Sequence, residues 1–181
     1  MSALYQKSLS LVVDVIFKDV VEYLFLLQQI SLALCQSSRG YSTAPLIFFA
    51  AAAVSDYYIP KEKMSREKIS GGDGLTLHFE NVPKVLGLLQ EKWMHRDATL
   101  PKPFTVTFKL ETTEETMHEK AKKNLNAYSC DAVVANMLQT YKEKVWVYLL
   151  EEKGKEPFII TKGDRTIESA LRDHFLAKIA S

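Results

Sequence analysis

The sequence from Phe48 to Lys63 reads FFAAAAVSDYYIPKEK and decides the fold class. Two phenylalanines and four alanines belong to an apolar run over residues 46–54, and a polar segment beginning with Ser55 and Asp56 follows it. A continuous apolar run bounded by turn residues is typical of a strand that is buried on both faces. In open α/β sheets, ligands bind beyond the carboxyl ends of such strands. Small side chains followed by an acid at that place therefore indicate a candidate ligand site.

Strands and helices are predicted to alternate along the rest of the chain. Apolar, β-branched or alternating segments predict strands at 9–17, 46–54, 75–79, 104–108 and 131–136. Helices are predicted at 18–35, 83–94, 112–128 and from Thr166 onward, the third with a Thr112–Glu115 capping box. Residues 144–162 are predicted to form a hairpin around Gly154. The alternation predicts an α/β fold, a three-layer Rossmann-like sandwich with a mainly parallel sheet and a C-terminal hairpin.

Length and composition predict one globular domain over residues 1–181. Hydrophobic residues make up 47% of the sequence and charged residues 25%, as in ordinary folded proteins. The formal net charge of +1 provides no field that would attract nucleic acid or an anionic membrane, so neither partner is expected. Cys35 and Cys130 have no metal-ligand spacing, which favours a reducing cytoplasm over a disulfide framework.

The apolar segment 8–34 is the candidate for a membrane span. Asp14, Lys18, Asp19 and Glu22 interrupt it. A spanning helix needs about 20 predominantly apolar residues. An acid inside the apolar region also disfavours a secretory signal. We therefore expect a core strand and a core helix in this segment rather than a membrane anchor.

The alanines before Asp56 allow two interpretations. Methyl side chains would let a nucleotide or an acyl group approach the backbone closely, and Asp56 would then hold Mg²⁺ or a ribose hydroxyl. Alternatively, small residues permit a helix to pack tightly on the sheet, and Asp56 serves as a turn or cap residue. Spacing alone leaves both interpretations open.

Two further groups of residues are candidates for contacts with phosphate or base. The polar segment that GGDG closes carries four basic side chains, at Lys61, Lys63, Arg66 and Lys68. Flexible cationic loops often fold over phosphates and supply charge where it develops in a transition state. Phe108 and Lys109 lie at the end of a predicted strand, where an aromatic ring would flank a base. A solvated surface and simple packing are the respective alternatives.

The sequence excludes several other chemistries. Its four histidines, His78, His95, His118 and His174, show neither an HExxH motif nor a triad-like arrangement, so no metal or catalytic role is assigned to them. The usual dinucleotide motif and the P-loop motif are both absent, and the first glycine of the chain is Gly40.

Five motifs in order, AAAAVSDYYIP, EKISGG, NVPKVL, FKLET and VVAN, resemble those of phosphopantothenate–cysteine ligases over residues 16–180. The FKLET form and the Ser-Asp-Tyr sequence are similar to the eukaryotic, stand-alone branch. The resemblance implies an enzyme of coenzyme A biosynthesis that activates phosphopantothenate with ATP or CTP and joins it to cysteine. It also implies Mg²⁺, a cytoplasmic location and a homodimer, for which segments 75–79 and 104–108 would offer pairing surface.

The resemblance also implies roles for individual residues. Ala52 and Ala53 match the small residues that line the nucleotide and acyl site, and Asp56 matches the acid near the base, ribose and cation. Lys68 matches the first lysine of a flap motif that is KxKK in bacterial members, which implies a catalytic role. The remaining candidates lie near the triphosphate or the base: Phe108, Lys109, Lys122, Lys123 and Asn136.

Two departures from the family pattern qualify this assignment. The flap motif here reads Lys68-Ile69-Ser70-Gly71, so Lys61 and Lys63 are candidates for the charge of the two lost lysines. Family members begin with a Gly-Gly-Thr loop, and no segment before Gly40 matches it, so the chain is expected to be N-terminally truncated relative to the family. Three interpretations stay open: a working ligase, a non-catalytic paralogue that binds nucleotide or a partner subunit, and a different α/β nucleotide-binding enzyme.

Overall fold

A five-stranded sheet lies at the centre of the computed structural model, which describes residues 12–36, 46–52, 55–72, 74–96 and 102–180, apart from the side chains of 34–36. The sheet strands are β1 (Ile47–Ala50), β4 (Phe104–Glu111), β5 (Ala132–Met137), β6 (Lys144–Leu149) and β7 (Phe158–Thr161). A separate two-stranded ribbon pairs β2 (Tyr57–Tyr58) with β3 (Glu80–Asn81). The α-helices are α1 (Val20–Gln36), α2 (Val85–Met94), α3 (Glu114–Tyr128) and α4 (Ile167–Ala180).

The strand order in the sheet is β1-β4-β5-β6-β7. Strands β1, β4 and β5 are parallel, and Ala50 of β1 pairs with Thr107 of β4. Strands β6 and β7 add an antiparallel hairpin at one side of the parallel strands, and Gly154 in its connection has a φ of +92°. This φ favours glycine because a side chain there would be strained. The carboxyl ends of the three parallel strands share one edge of the sheet, as the predicted fold class requires.

Helices cover both faces of the sheet and complete the predicted three layers. On one face, α4 contributes Leu171 and Phe175 to a buried cluster with Val106, Val134 and Val147. On the other face, α3 packs Met117, Ala121 and Leu125 against Val133 and Trp146, and Trp93 of α2 contacts Phe48 with 5.0 Å between the ring centroids. Burying such aliphatic side chains stabilises the fold by about 1.5–3 kcal/mol each. The α/β fold is confirmed.

Most predicted elements are present with shifted bounds. Helix α1 and helix α2 lie where they were predicted, and α4 begins at Ile167 after Thr166, whose hydroxyl accepts a hydrogen bond from the Ser169 amide at 3.2 Å. The predicted capping box is wrong, because Thr113 rather than Thr112 is the N-cap of α3 and its hydroxyl bonds to the Thr116 hydroxyl. Strand β1 ends at Ala50, and residues 53–54 of its predicted range lie outside the described residues.

Two predicted strands are wrong for the same physical reason. Residues 12–17 form no strand and are exposed, while residues 9–11 lie outside the described part of the chain. Residues 75–79 also form no strand, and Leu75, Leu77 and Phe79 are exposed. A strand needs a neighbour for its backbone hydrogen bonds, and none of the described strands pairs with either segment. Strand β4 lies between β1 and β5, so 104–108 is not free for pairing with a second copy either.

Within the described ranges, none of the helices combines the length and the apolar character that crossing a bilayer requires.

Candidate functional site

A cleft of about 210 Å³ opens beyond the carboxyl end of β1. Residues of α1, α2 and α3 line it together with residues of β1, β4 and the segments around the ribbon. Its lining includes Tyr23, Leu24, Leu27, Phe48, Ala50, Ala52, Ser55, Asp56, Val82, Pro83, Lys84, Val85, Leu86, Leu89, Thr107, Phe108, Asn124 and Tyr128. The cleft therefore joins three of the predicted site residues: Phe108 from β4, and Ala52 and Asp56 from the segment that follows β1.

The alanines leave this cleft open. Ala50 is half-buried opposite Thr107 in the sheet, and Ala52 is exposed just beyond the strand. No larger side chain covers them among the described residues, because both still line the cleft. The interpretation that these alanines only permit helix packing therefore does not account for the space above them. Ala53 lies outside the described residues.

Asp56 lies at the mouth of the cleft beside a cation that the sequence did not single out. Its Oδ1 atom is 3.8 Å from Nζ of Lys84, and the two side chains are 81% and 70% exposed. The Asp56 carbonyl accepts a hydrogen bond from the Val82 amide at 2.9 Å, next to the β2–β3 ribbon. The ribbon thus fixes the backbone of the acid while its carboxylate stays available to solvent or ligand.

Asp56 suits a magnesium ion only in combination with other oxygen ligands. Among the described residues, no group of three or more histidine, cysteine or acidic side chains could hold a metal ion. Mg²⁺ is usually bound by one or two carboxylates, several waters and the phosphates of a substrate. One exposed carboxylate at the mouth of a cleft fits that donor set, so the residues present fit a magnesium–nucleotide complex and not a permanently held ion.

Phe108 combines packing with a place in the cleft lining. Its ring centroid is 6.3 Å from that of Phe49, and it packs against the cluster that contains Phe175. Phe108 also belongs to the cleft lining, although its ring packs on the face of the sheet that α4 covers. Its packing role is visible in the structure, and contact with a base stays a prediction.

Lys109 is held by a half-buried ion-pair cluster at the carboxyl end of β4. The side chain of Glu111 is 13% exposed. Its carboxylate oxygens lie 3.3 Å from Nζ of Lys109 and 2.9 Å from Nζ of Lys120. Burial raises the pKa of Glu111, but hydrogen bonds from Lys120 and Lys109 outweigh that effect and hold the pKa below its ordinary value. The described lining of the cleft does not include Lys109, so its contact with a substrate stays a prediction.

Asn136 supplies an unsatisfied acceptor near the same edge of the sheet. It lies in β5 opposite Leu110 of β4, and its Oδ1 atom is buried without a hydrogen-bond partner among the described residues. Buried polar atoms normally have partners, so this acceptor is available to a donor from outside the described residues. The described lining of the cleft does not include Asn136, so its contact with a nucleotide stays a prediction.

The basic loop, which we define as residues 61–68, does not line the cleft in its described form. Lys63 donates to Glu80 at 2.5 Å, and this hydrogen bond raises the pKa of Lys63. Lys63 is therefore already paired, whereas Lys61, Arg66 and Lys68 are exposed. The catalytic role of Lys68 stays a prediction that requires the loop to move toward the cleft.

The two lysines predicted on α3 face different surroundings. Lys122 lines a second cavity of about 240 Å³ between α3 and the β6–β7 hairpin. Lys123 is exposed and precedes Asn124, which lines the cleft. The structure thus separates Lys122 from the candidate site and leaves the role of Lys123 a prediction.

Sequence reasoning missed several residues of the cleft. Lys84 lies in the NVPKVL motif directly before α2, and a basic residue at a strand-to-helix junction was a usable signal. Tyr23 of α1 and Tyr128 at the end of α3 had no such signal, because only the packing of the helices brings them to the cleft.

The comparison with protein families decides the affiliation. Residues 34–170 match the family model of the DNA/pantothenate metabolism flavoprotein C-terminal domain. The chain belongs to this family. The matched range contains β1, β4 and β5 and therefore the predicted residues of the cleft.

Relatives of this family member carry the name that the motifs suggested. The chain is 40% identical over 140 residues to phosphopantothenate–cysteine ligase 1 of Oryza sativa subsp. japonica and 41% identical over 130 residues to phosphopantothenate–cysteine ligase of Mus musculus. These matches cover 76% and 71% of this chain but only 40% and 38% of the relatives. The chain thus spans well under half the length of both ligases.

A solved structure supports the fold of this family member. The structure is of Cab2 with a histidine-to-alanine substitution, in complex with phosphopantothenate-cysteine. The two chains superpose with a TM-score of 0.77 at 26% identity, over 96% of this chain and 55% of Cab2. The resemblance drawn from the five motifs is confirmed.

Proposed function

We propose that this chain carries the nucleotide and acyl site of a phosphopantothenate–cysteine ligase in coenzyme A biosynthesis. The observation that supports this most directly is the convergence of Ala52, Asp56 and Phe108 on one open cleft in a domain of the matching family. In the proposed reaction, the phosphopantothenate carboxylate attacks the α-phosphorus of ATP or CTP and pyrophosphate leaves. The cysteine amine then attacks the acyl carbon, loses a proton and expels the nucleoside monophosphate.

The residues of the cleft match the needs of such a reaction between anions. Ala50 and Ala52 let the acyl-nucleotide lie close to the backbone. Asp56 would hold the magnesium ion that accompanies the nucleotide and offsets its charge, and Lys68 would add positive charge from the basic loop. The cleft is smaller than the roughly 300–1,000 Å³ of typical ligand pockets, so it would enclose only part of the nucleotide.

We also propose a cytoplasmic homodimer. Cys130 is a buried free thiol, which suits a reducing compartment. Apolar side chains are exposed on ribbon strand β2 and on residues 75–79, which directly precede β3. They are Tyr57, Leu75, Leu77 and Phe79. Large exposed apolar groups that lie near one another often mark contacts with another protein surface. A second copy of the chain is the partner that the family resemblance implies.

The test is turnover by the full chain with defined substrates. Pyrophosphate release would be measured with ATP and with CTP in the presence of Mg²⁺, phosphopantothenate and L-cysteine, and the amide product would be identified by mass spectrometry. We expect release that depends on both substrates. Asp56→Asn should lower kcat/KM by about tenfold to a hundredfold, because a charge-assisted contact is lost.

The matched control is Asp164→Asn, because Asp164 is an exposed acid in the turn before α4 and lies outside the cleft lining. Equal activity of Asp56→Asn and Asp164→Asn would contradict the proposed site. Nucleotide binding without any amide product would favour the non-catalytic paralogue. A product other than the phosphopantothenate–cysteine amide would favour a different nucleotide-dependent enzyme.

A further inference from the structure

Lys84 is the one basic side chain among the described residues that line the cleft. It precedes the first residue of α2, and its ammonium group is 3.8 Å from the carboxylate of Asp56. Lys61, Lys63, Arg66 and Lys68 all lie on the basic loop and outside this lining. The cation that faces the candidate metal ligand therefore comes from the start of α2 and not from the flap motif.

A contribution to stability does not account for the ion pair between Lys84 and Asp56. Both side chains are largely exposed, and ion pairs between exposed groups contribute little to stability. The backbone of Asp56 is already fixed by the hydrogen bond from Val82 and by the neighbouring ribbon. Two exposed charges beside the cleft, on backbone that the ribbon already holds in place, are instead available to other partners.

A magnesium–nucleotide complex would give each charge a new partner. When a divalent cation binds Asp56, it repels an ammonium group within 4 Å and removes the attraction that kept it there. The phosphate oxygens that accompany the cation are acceptors of the kind that lysine binds as a point charge.

We propose that Lys84 binds the phosphate groups of the nucleotide and takes over charge that the flap motif lacks in this chain. This inference rests on the proposed function for the identity of the ligand. It assigns the role to one atom, Nζ of Lys84, next to the carboxylate that would carry the magnesium ion. The contact is to phosphate, so it should not depend on whether the base is adenine or cytosine.

The experiment is calorimetric titration of the full chain with MgATP and, separately, with MgCTP. Lys84→Gln removes the charge and keeps most of the side-chain stem, while Lys84→Arg keeps a cation. We expect Lys84→Gln to weaken the binding of each nucleotide about tenfold, as loss of a charge-assisted contact should. Lys84→Arg should stay within about threefold of the wild type, because the charge is retained even though its geometry differs.

Lys92→Gln is the matched control, since Lys92 is an exposed lysine in the last turn of the same helix. It should leave both affinities unchanged. In turnover assays, Lys84→Gln should raise the KM for the nucleotide more than it lowers kcat, because the contact already exists in the bound ground state. Thermal unfolding of the variants would confirm that they remain folded.

A double-mutant comparison separates direct phosphate contact from mere neutralisation of Asp56. In the Asp56→Asn background, Lys84→Gln should still weaken nucleotide binding by a similar factor. An effect that disappears in that background would overturn the inference, and so would an unchanged affinity of Lys84→Gln or a loss confined to one nucleotide. Wild-type protein that binds neither nucleotide would overturn both the inference and the proposed function. Binding that depends on Lys84 in a chain without ligase turnover would support the inference and count against the proposed reaction alone.

Discussion

The chain divides into a half that builds the core and a half that builds the cleft. Of the twenty-two buried hydrophobic residues in the described ranges, nineteen lie in residues 102–180. Residues 12–96 instead contain seventeen of the twenty-three large hydrophobic side chains that are exposed. Most residues that line the cleft also lie in residues 12–96, and Ala52, Asp56 and Lys84 are among them.

The two halves contribute differently to the stability of this domain and to its cleft. The core half is tied together by four strands and two helices, whose inner faces meet in two clusters. The cleft half also has two helices, α1 and α2, but only one sheet strand, a ribbon of two short strands and ion pairs between exposed side chains. Binding segments are generally drawn from the less stable part of a protein, and this chain follows that pattern.

The largest difference in stability between the two halves is expected from a substitution in the core. Phe175 of α4 is fully buried and contacts the rings of Phe49 and Phe104, so Phe175→Ala should lower the free energy of unfolding by about 3–5 kcal/mol. Leu88→Ala on α2 should cost far less, because that side chain is 55% exposed. Urea unfolding of both variants would measure the difference. Similar losses of unfolding free energy in the two variants would contradict the expectation that the core half contributes more to stability.

A second test concerns the ion-pair cluster on β4, the most buried acid–lysine group near the site. Glu111→Gln should lower the free energy of unfolding by about 1 kcal/mol at pH 7, because the half-buried Lys109 and the exposed Lys120 lose their shared acceptor. The folded-state pKa of Glu111 is below its ordinary value of 4.5, so its contribution is present above that pH and is lost as the pH falls. Unfolding curves at pH 7 and pH 4 would check both statements.

The control for the cluster is Glu119→Gln, an exposed acid on α3. It should change the unfolding midpoint little at either pH. An equal effect of the two substitutions would show that the position of Glu111 in the sheet edge contributes nothing beyond surface charge.

The stability of the core half is also expected to depend on pH, through His174. Burial lowers the pKa of His174 on α4 and Lys178 lowers it further, and the His174 Nε2 atom is buried without a partner among the described residues. The unfolded state therefore takes up a proton more readily than the folded state. The stability should be complete above the ordinary pKa of 6.5 and should fall as the pH is lowered through it. Urea midpoints between pH 7.5 and 5.5 would show the fall.

His174→Gln should flatten this pH dependence between pH 7.5 and 5.5. His95→Gln serves as its control, since His95 is an exposed histidine at the end of α2. A wild-type stability that is constant over this range would contradict the prediction.

The smallest effect is expected in the basic loop. Lys63 and Glu80 form an ion pair at 2.5 Å, but their side chains are 55% and 46% exposed. Lys63→Gln should therefore leave the unfolding midpoint within experimental error. A clear loss of stability would show that the ribbon and its loop are structural, and the division into two halves would have to be redrawn.

Much of the fold could be predicted from local sequence. The helical segments, the apolar run at β1, the alternating strand β4 and the hairpin around Gly154 all follow from residue periodicity and turn chemistry. The place of Ala52 and Asp56 in the cleft lining could be predicted for the same reason, because both follow a recognisable strand closely, while their roles stay predictions. Segments 12–17 and 75–79 were mispredicted because side-chain pattern indicates a strand but does not provide its neighbour.

Local sequence was sufficient for the fold class, for the family and for the position of Asp56 after β1, since these depend on short motifs and their order. Only the tertiary structure decided that Lys84 faces Asp56, that Lys63 is already paired with Glu80 and that Glu111 holds two lysines. Three of these four pairs join residues 9 to 28 positions apart in the chain, so their distances are fixed by how the ribbon and the helices pack. Lys109 is only two residues from Glu111, and packing of the helix on the sheet adds Lys120 to that local pair.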